Sequence, residues 1–263
     1  MSLKTAKLWL FALHYPLLAL HKQDLSRIED DNNIKVQILS QSLRKEFRDV
    51  LNNMLIEQPA RWLRIFYPHA LWRMDKNDHS VYLTFDDGPI PEATPFILDI
   101  LDQFNAKAMF FMVADNVRKH PEIYEEVIRR GHKVGNHTYH HLGSFKHWTL
   151  TYVVDVTKAD ALLNTPYFRP PHGWLRHTVY WWVKQNYRVV MWDLVTRDYS
   201  KWLSAADVVN NVKRYARNGS IITFHDSLKS IDKLRTALPE SLQWLKNQGY
   251  EFKVFPDDPA ETF

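Results

Sequence analysis

No cysteine occurs anywhere in the chain. Its absence excludes disulfides, thiolate metal sites and cysteine nucleophiles together, so a bound metal can draw only on nitrogen and oxygen ligands. It leaves the redox compartment open. Charge clusters are missing too. The 34 lysines and arginines are spread along the chain and the net charge is a mild +4, so nothing resembles the basic footprint of a nucleic-acid binder. Nor is there an apolar run long enough for a stable membrane span: Leu8 to Leu20, after a basic start at Met1 to Lys7, is thirteen residues long, too short to cross a bilayer. It reads as a weak signal-like segment, interrupted by His14 and Pro16 and followed by no small-x-small cleavage site before His21 and Lys22. Location therefore stays open between the cytoplasm and the envelope of a bacterial cell. No internal repeat or low-complexity run organises the chain, and the sequence is silent on oligomeric state.

What is present suffices for one domain with an appendage: 263 residues, 45% of them apolar, can bury a full core. Residues 1–53 read as an N-terminal extension, partly helical or disordered. Its helix-like part is Ser40 to Asn53, where Leu43, Phe47 and Leu51 recur every four. A self-consistent domain sequence begins near Met54. Residues 54–80 form an aromatic and basic lead-in with Trp62, Phe66, Tyr67 and Trp72 beside Arg61, Arg64 and Arg73. Its pattern is short and broken by Pro68, which favours a segment packed over the bottom of the next domain above a membrane-facing patch.

From residue 81 to 263 short apolar runs alternate with helical stretches. Strands are predicted at Val81 to Phe85, Ala108 to Val113, Lys133 to Gly135, Tyr167 to Arg169, Arg188 to Trp192, Ser220 to Phe224 and Glu251 to Val254. Helices are predicted at Glu92 to Gln103, Pro121 to Arg130, Thr149 to Leu163, His177 to Lys184, Ser204 to Arg217 and Ile231 to Gln248. Gly131 and Gly249 sit where helix-ending glycines belong, and Ser204 fits an N-cap. This alternation implies parallel strands with helical crossovers, an α/β layer or barrel. Asp86, Asp87, His137, Arg169, Asp193, Asp198 and His225 all fall at or just beyond predicted strand C-terminal ends, the face on which parallel barrels build active sites.

These residue types suit metal-assisted hydrolysis. The four-residue spacing of His137 and His141 predicts two imidazoles on one side of a helical turn, with His140 as the less easily placed alternative to His141. Asp87 would complete a two-histidine, one-carboxylate site with a position open for water, and such ligands favour zinc, with cobalt, nickel or manganese as substitutes. Asp86, the neighbouring carboxylate, stays free for proton transfer. On composition alone Asp86-Asp87-Gly88-Pro89 reads equally as an ordinary turn; the histidines tip it toward a site. Arg169 can hold Asp86 ionised and aimed. His225 can protonate a leaving amine if an aspartate, Asp198 being the candidate, bonds its far nitrogen. Ten tryptophans, twelve tyrosines and fourteen phenylalanines are mostly core, although exposed rings suit the apolar faces of sugars.

Asp-Asp before Gly-Pro, His-x-x-x-His, Arg-Pro-Pro-x-Gly, an aspartate followed by an aromatic residue, and a late His-Asp occur in that order. The sequence thereby resembles the polysaccharide deacetylases, the NodB-homology enzymes of carbohydrate esterase family 4, over about Val81 to Val254. The resemblance implies a distorted (β/α) barrel of about seven parallel strands and metal-dependent removal of acetyl groups from N-acetylated sugars. By motif, Asp86 resembles the general base, Asp87, His137 and His141 the metal ligands, Arg169 the tether of the base, Asp198 the residue that tunes the acid, and His225 the acid. A backbone amide near His172 would help bind the oxyanion. Two positions depart from the family pattern: Tyr199 replaces a frequent tryptophan and Thr223 a frequent leucine, both at places that line the acetyl-methyl pocket. Phe224 and Trp174 are expected to compensate, so that His172, Gly173, Trp174, Tyr199, Thr223 and Phe224 form the expected substrate-binding set.

The expected activity is deacetylation of a chitooligosaccharide- or peptidoglycan-type glycan. Two rivals stand beside it: an O-acetyl esterase on acetylated glycans, which would depend less on His225, and a carbohydrate-binding protein with a vestigial site.

Overall fold

A computed structural model describes residues 57–59 and 63–262. The signal-like stretch, the Ser40 to Asn53 helix and the rest of the expected extension at 1–53 lie outside the described residues. The strands are β1 Ser80–Asp86, β2 Met109–Met112, β3 Lys133–Asn136, β4 Tyr167–Phe168, β5 Arg188–Val189, β6 Leu194–Val195, β7 Ser220–His225 and β8 Glu251–Lys253. The helices are α1 Leu63–Phe66, α2 Thr94–Gln103, α3 Ala114–Lys119, α4 Pro121–Arg129, α5 Thr149–Leu163, α6 His177–Asn186, α7 Ala205–Tyr215 and α8 Ile231–Asn247. All paired strands are parallel. Their order is β5-β4-β3-β2-β1-β7-β6, with β8 pairing beside the start of β1, which is the expected curled (β/α) sheet of seven strands. No helix among the described residues is long and apolar enough to cross a membrane.

Side chains alternate across each strand. Val81, Leu83 and Phe85 of β1 point outward into a core shared with α2, α7 and α8, whereas Tyr82 joins Met109, Phe111, Tyr167 and Ile221 inside the curl. Thr84 and Asp86 continue the inward row toward its C-terminal mouth. Ser204 caps α7 as expected, in a reciprocal capping box with Asp207. Gly131 and Gly249 adopt φ of 79° and 85° at helix ends.

Two predicted details change. The strand expected at Arg188 to Trp192 ends at Val189, and β6 follows after a break. Val190 N–H still donates to Phe168 O on β4, but Met191 N–H turns to the lead-in and donates to Leu71 O, both at 2.8 Å. A little further on, Arg73 forms a bridge to Ser220 and Met74 N–H donates to Gly219 O at 2.8 Å. The lead-in thus bridges from the β5 side to the start of β7. The short helix α3 was not foreseen, because six residues carry too little periodicity to read.

The lead-in also reaches the other side of the site. Glu57 O accepts from Val195 N at 2.9 Å, and its carboxylate pairs with Arg197 at 2.5 Å, both side chains being buried. Glu57→Ala strands a buried guanidinium and is expected to cost about 3–5 kcal/mol. In denaturant unfolding, a Glu57→Leu/Arg197→Met double variant should regain most of that loss; a single variant within 1 kcal/mol of the parent would show the pair to be incidental.

Candidate active site

The inward row of β1 ends at Asp86, and a turn must then bring Asp87 to the same side. Asp87 does so with φ at 89°. A buried brace holds this turn. Asp226 accepts from Gly88 N–H at 2.9 Å and from the Thr94 hydroxyl at 2.7 Å, and its own N–H donates to Asp86 O at 3.0 Å. Burial pushes the Asp226 carboxyl well above the usual range. Glycine is required at 88 because a Cβ there would lie 1.8 Å from Asp226 Oδ2. Gly88→Ala is therefore expected to destabilise the protein by about 1–3 kcal/mol and to weaken divalent-metal uptake, both read in metal titrations with thermal melts. Unchanged metal affinity would mean that the brace does not set the position of Asp87.

Among the described residues, Asp87, His137 and His141 form a cluster whose ligand-type atoms lie within 4.8 Å of one another. His137 follows β3. Its Nδ1 lies 2.8 Å from Arg169 O; a carbonyl can only accept, so Nδ1 carries the proton and Nε2 turns a lone pair toward Asp87, 3.7 Å away. Burial lowers its pKa to about 4, so the ring is neutral at neutral pH, as a ligand must be. His141 Nε2 sits 3.1 Å from Asp87 Oδ1. Burial alone would raise the Asp87 pKa, but the His141 bond and the nearby imidazole charges hold it well below the usual range. This donor set fits a divalent cation.

The two imidazoles do not share a helical turn, contrary to expectation. Residues 137–143 are irregular, and left-handed backbone at Thr138 (φ 66°) and His141 (φ 56°) folds the loop, bringing the rings to 5.1 Å. Asp155 on α5 secures it, accepting from the N–H groups of Tyr139 and His140 at 2.9 and 3.0 Å. His140, the alternative ligand, is taken up by the same carboxylate at 2.5 Å.

Opposite stand two further bonded pairs, Arg169 with Asp86 and His225 with Asp198. Arg169 Nη1 donates to Asp86 Oδ1 at 2.6 Å and to the Thr84 hydroxyl at 2.8 Å. Asp198 accepts from His225 Nδ1 at 2.8 Å and from His225 N–H at 2.7 Å. Burial disfavours a charged His225, but the Asp198 carboxylate outweighs it, with Asp87 and Asp86 helping, and pushes the pKa up to about 9. In the turn after Arg169, His172 has φ at 62°. The next N–H, of Gly173, is spent on Pro170 O at 3.0 Å, whereas that of His172 has no acceptor among the described residues.

These groups meet in one cavity of about 440 Å³. Asp86, Asp87, His137, His141, Arg169, His172, Gly173, Trp174, Tyr199, Thr223 and His225 line it, and Asp198 stands behind His225. Phe224 does not belong there. It is fully buried and stacks 5.7 Å from Phe85 in the outer core, because residues 223 and 225 face inward and 224 must face outward. Asp193 is also misplaced by the sequence. It lies at the N-terminal end of the sheet, bonded to the Ser220 hydroxyl at 2.9 Å and to Arg217, since the predicted strand breaks before it. Sequence reasoning missed Asp226, Asp155 and the wall formed by Leu63, Tyr67, Trp72, Trp192 and Val195. Only Asp226, beside His225, carried a signal. A second cavity of about 530 Å³ opens near Met109, His132 and Lys133, at the N-terminal strand ends, away from this chemistry.

The family model described as polysaccharide deacetylase matches residues 73–190. A peptidoglycan-N-acetylglucosamine deacetylase of Bacillus cereus is 33% identical over 192 residues, 70% of this chain and 90% of the relative. The crystal structure of the Bc1960 peptidoglycan N-acetylglucosamine deacetylase superposes with a TM-score of 0.70 at 32% identity, covering 78% of this chain and 96% of that one. A CE4 family pseudoenzyme from Bacillus anthracis is similar at 26% identity and a TM-score of 0.60, over 71% of this chain and 66% of that one. With its sheet, its ordered motifs and these likenesses, the chain belongs to the polysaccharide deacetylase family.

Proposed function

We propose that the protein removes acetyl groups from N-acetylated sugars of a peptidoglycan- or chitooligosaccharide-type glycan. The carrying observation is that the Asp87–His137–His141 cluster faces the Asp86–Arg169 and His225–Asp198 pairs across one cavity. Relatives named as deacetylases of both glycan types support the substrate class.

A divalent cation held by Asp87, His137 and His141, zinc being favoured by the ligand set, supplies Lewis acidity toward the acetyl carbonyl and acidifies water. Asp86, held and aimed by Arg169, accepts a proton from the attacking water as the oxygen–carbon bond forms. The free N–H of His172 donates to the developing oxyanion. His225, charged through Asp198, gives its proton to the nitrogen as the carbon–nitrogen bond breaks, leaving acetate and a free amine. That acid favours amide over ester hydrolysis, because an alcohol leaves with less help.

The test is acetate release from N-acetylglucosamine oligomers by chelated protein with and without added zinc. Acetate appearing only with metal is expected. Stoichiometric zinc without acetate from N-acetylated or O-acetylated glycans would place the chain beside the pseudoenzymes, and no zinc uptake would overturn the ligand assignment.

A further inference from the structure

The active cavity has two unlike parts. Its rim is exposed: Trp174 is 46% and Tyr199 38% accessible. Below the rim, Leu63, Tyr67, Trp72, Val195 and Thr223 also line it, yet each is only 2–6% accessible. The cavity therefore has a buried apolar side, the pit, next to the equally buried polar side made by Asp86, His137 and Arg169.

The pit is contiguous with the chemistry. Thr223 lies two residues before His225 on the same inward row of β7, roughly 7 Å below it, and Val195 is its partner on β6. The opposite wall starts at the oxyanion turn, where Gly173 has no side chain and the Trp192 indole fills that space; a Cβ at Gly173 would lie 2.1 Å from the ring. From Trp192 the wall passes to Trp72 at 5.9 Å and on to Tyr67 at 6.4 Å between ring centroids. An acetyl methyl fills about one water's share of space, ~30 Å³, a small part of the roughly 440 Å³ that the polar groups and this apolar side enclose together. Apart from the Thr223 hydroxyl, which lies 3.2 Å from that of Thr84, this side is apolar, and its three lead-in residues come from before position 73, outside the family match.

We infer that this site accepts N-acyl groups longer than acetyl, with the acyl chain running from the reacting carbonyl down past Thr223 and Val195 into the pit. The inference rests on the proposed hydrolysis for its place in the reaction, but acyl-chain binding can be tested without turnover. Zinc-loaded protein is titrated calorimetrically with acetate, propionate, butyrate and hexanoate. Each carboxylate presents its head to the cation-binding end and its tail to the pit. Affinity is expected to rise about fourfold per methylene, the burial of one CH₂ at about 0.8 kcal/mol, as far as butyrate. Val195→Phe and Thr223→Leu, which fill the pit from adjoining strands, should each flatten the series. Thr223→Val, which removes the hydroxyl without filling space, should leave it rising.

Turnover of N-acetyl, N-propionyl and N-butyryl glucosamine oligomers is measured alongside. The butyryl substrate is expected to react within tenfold of the acetyl one in kcat/KM. Affinity that stays flat or falls beyond acetate in the parent protein overturns the inference even if acetate is released normally. A rising series with no hydrolysis of any substrate keeps the pit as an acyl-chain site and overturns the proposed reaction instead.

Discussion

Replacing His225 with alanine is expected to lower kcat on N-acetylglucosamine oligomers by about 10²–10⁴-fold with zinc stoichiometry unchanged, and to lower the melting temperature, because Asp198 is left buried without its charged partner. An amine departs poorly as an anion, so the nitrogen must gain a proton as its bond to carbon breaks. The group placed to give it is a histidine whose Nδ1 is fixed 2.8 Å from Asp198. The pH dependence carries the same assignment with a definite sign. The acid works only while protonated, and its pKa is raised to about 9, so kcat should be flat near neutrality and fall on the alkaline side, at or below about pH 9. A bound cation offsets part of the Asp87 charge that helps raise this pKa, which moves the limb down and not up. Asp198→Asn should move it further toward the ordinary histidine range. On an O-acetyl substrate His225→Ala should lose much less. A variant with near-parental amide turnover, or an alkaline limb indifferent to Asp198→Asn, would remove His225 from the role of acid.

Much of this site could be read from the chain because its residues fall in strand-end motifs. The Asp86-Asp87 pair follows a clear apolar run, and the inward-facing row of β7 ends at His225. The same period-two rule excludes Phe224 from the cavity, since it separates two inward residues; the sequence carried that information, and motif proximity masked it. His137 and His141 could be picked out as candidate ligands by type and spacing but not by geometry. Helical spacing predicts their convergence for the wrong reason, because left-handed Thr138 and His141 fold the loop and Asp155 secures it from a helix some fifteen residues away. Asp193 shows the opposite failure, as the strand read over Arg188 to Trp192 is only the two-residue β5, and Asp193 instead precedes the unforeseen β6. Glu57, Tyr67 and Trp72 were beyond local reading altogether. Their roles depend on where the lead-in returns to the barrel, and no periodicity encodes such contacts between distant segments.

Arg169→Met is expected to remove activity and stability together. The guanidinium is 1% accessible and stacks over Phe111 at 4.1 Å. Besides Asp86 and Thr84 it donates to Val190 O at 3.3 Å and Met191 O at 2.8 Å, in the stretch where the predicted fifth strand breaks. Its own carbonyl oxygen orients His137. One residue thus positions the proposed base through its side chain and a proposed metal ligand through its backbone. Without the guanidinium, Asp86 is a buried carboxylate lacking its counter-charge, and breaking such a pair costs about 3–5 kcal/mol. The carboxylate also loses the bond that aims it into the cavity. A loss of activity alone would not separate these effects from unfolding, so the informative comparison is Arg169→Met against Arg169→Met/Asp86→Asn. Removing the orphaned charge should restore a large part of the denaturation midpoint, while kcat stays at least 10²-fold below the parent. Zinc should still bind both variants, because the bond from His137 goes to a backbone atom. If the double variant were no more stable than the single one, the Asp86–Arg169 pair would not be the electrostatic unit that holds the base in place.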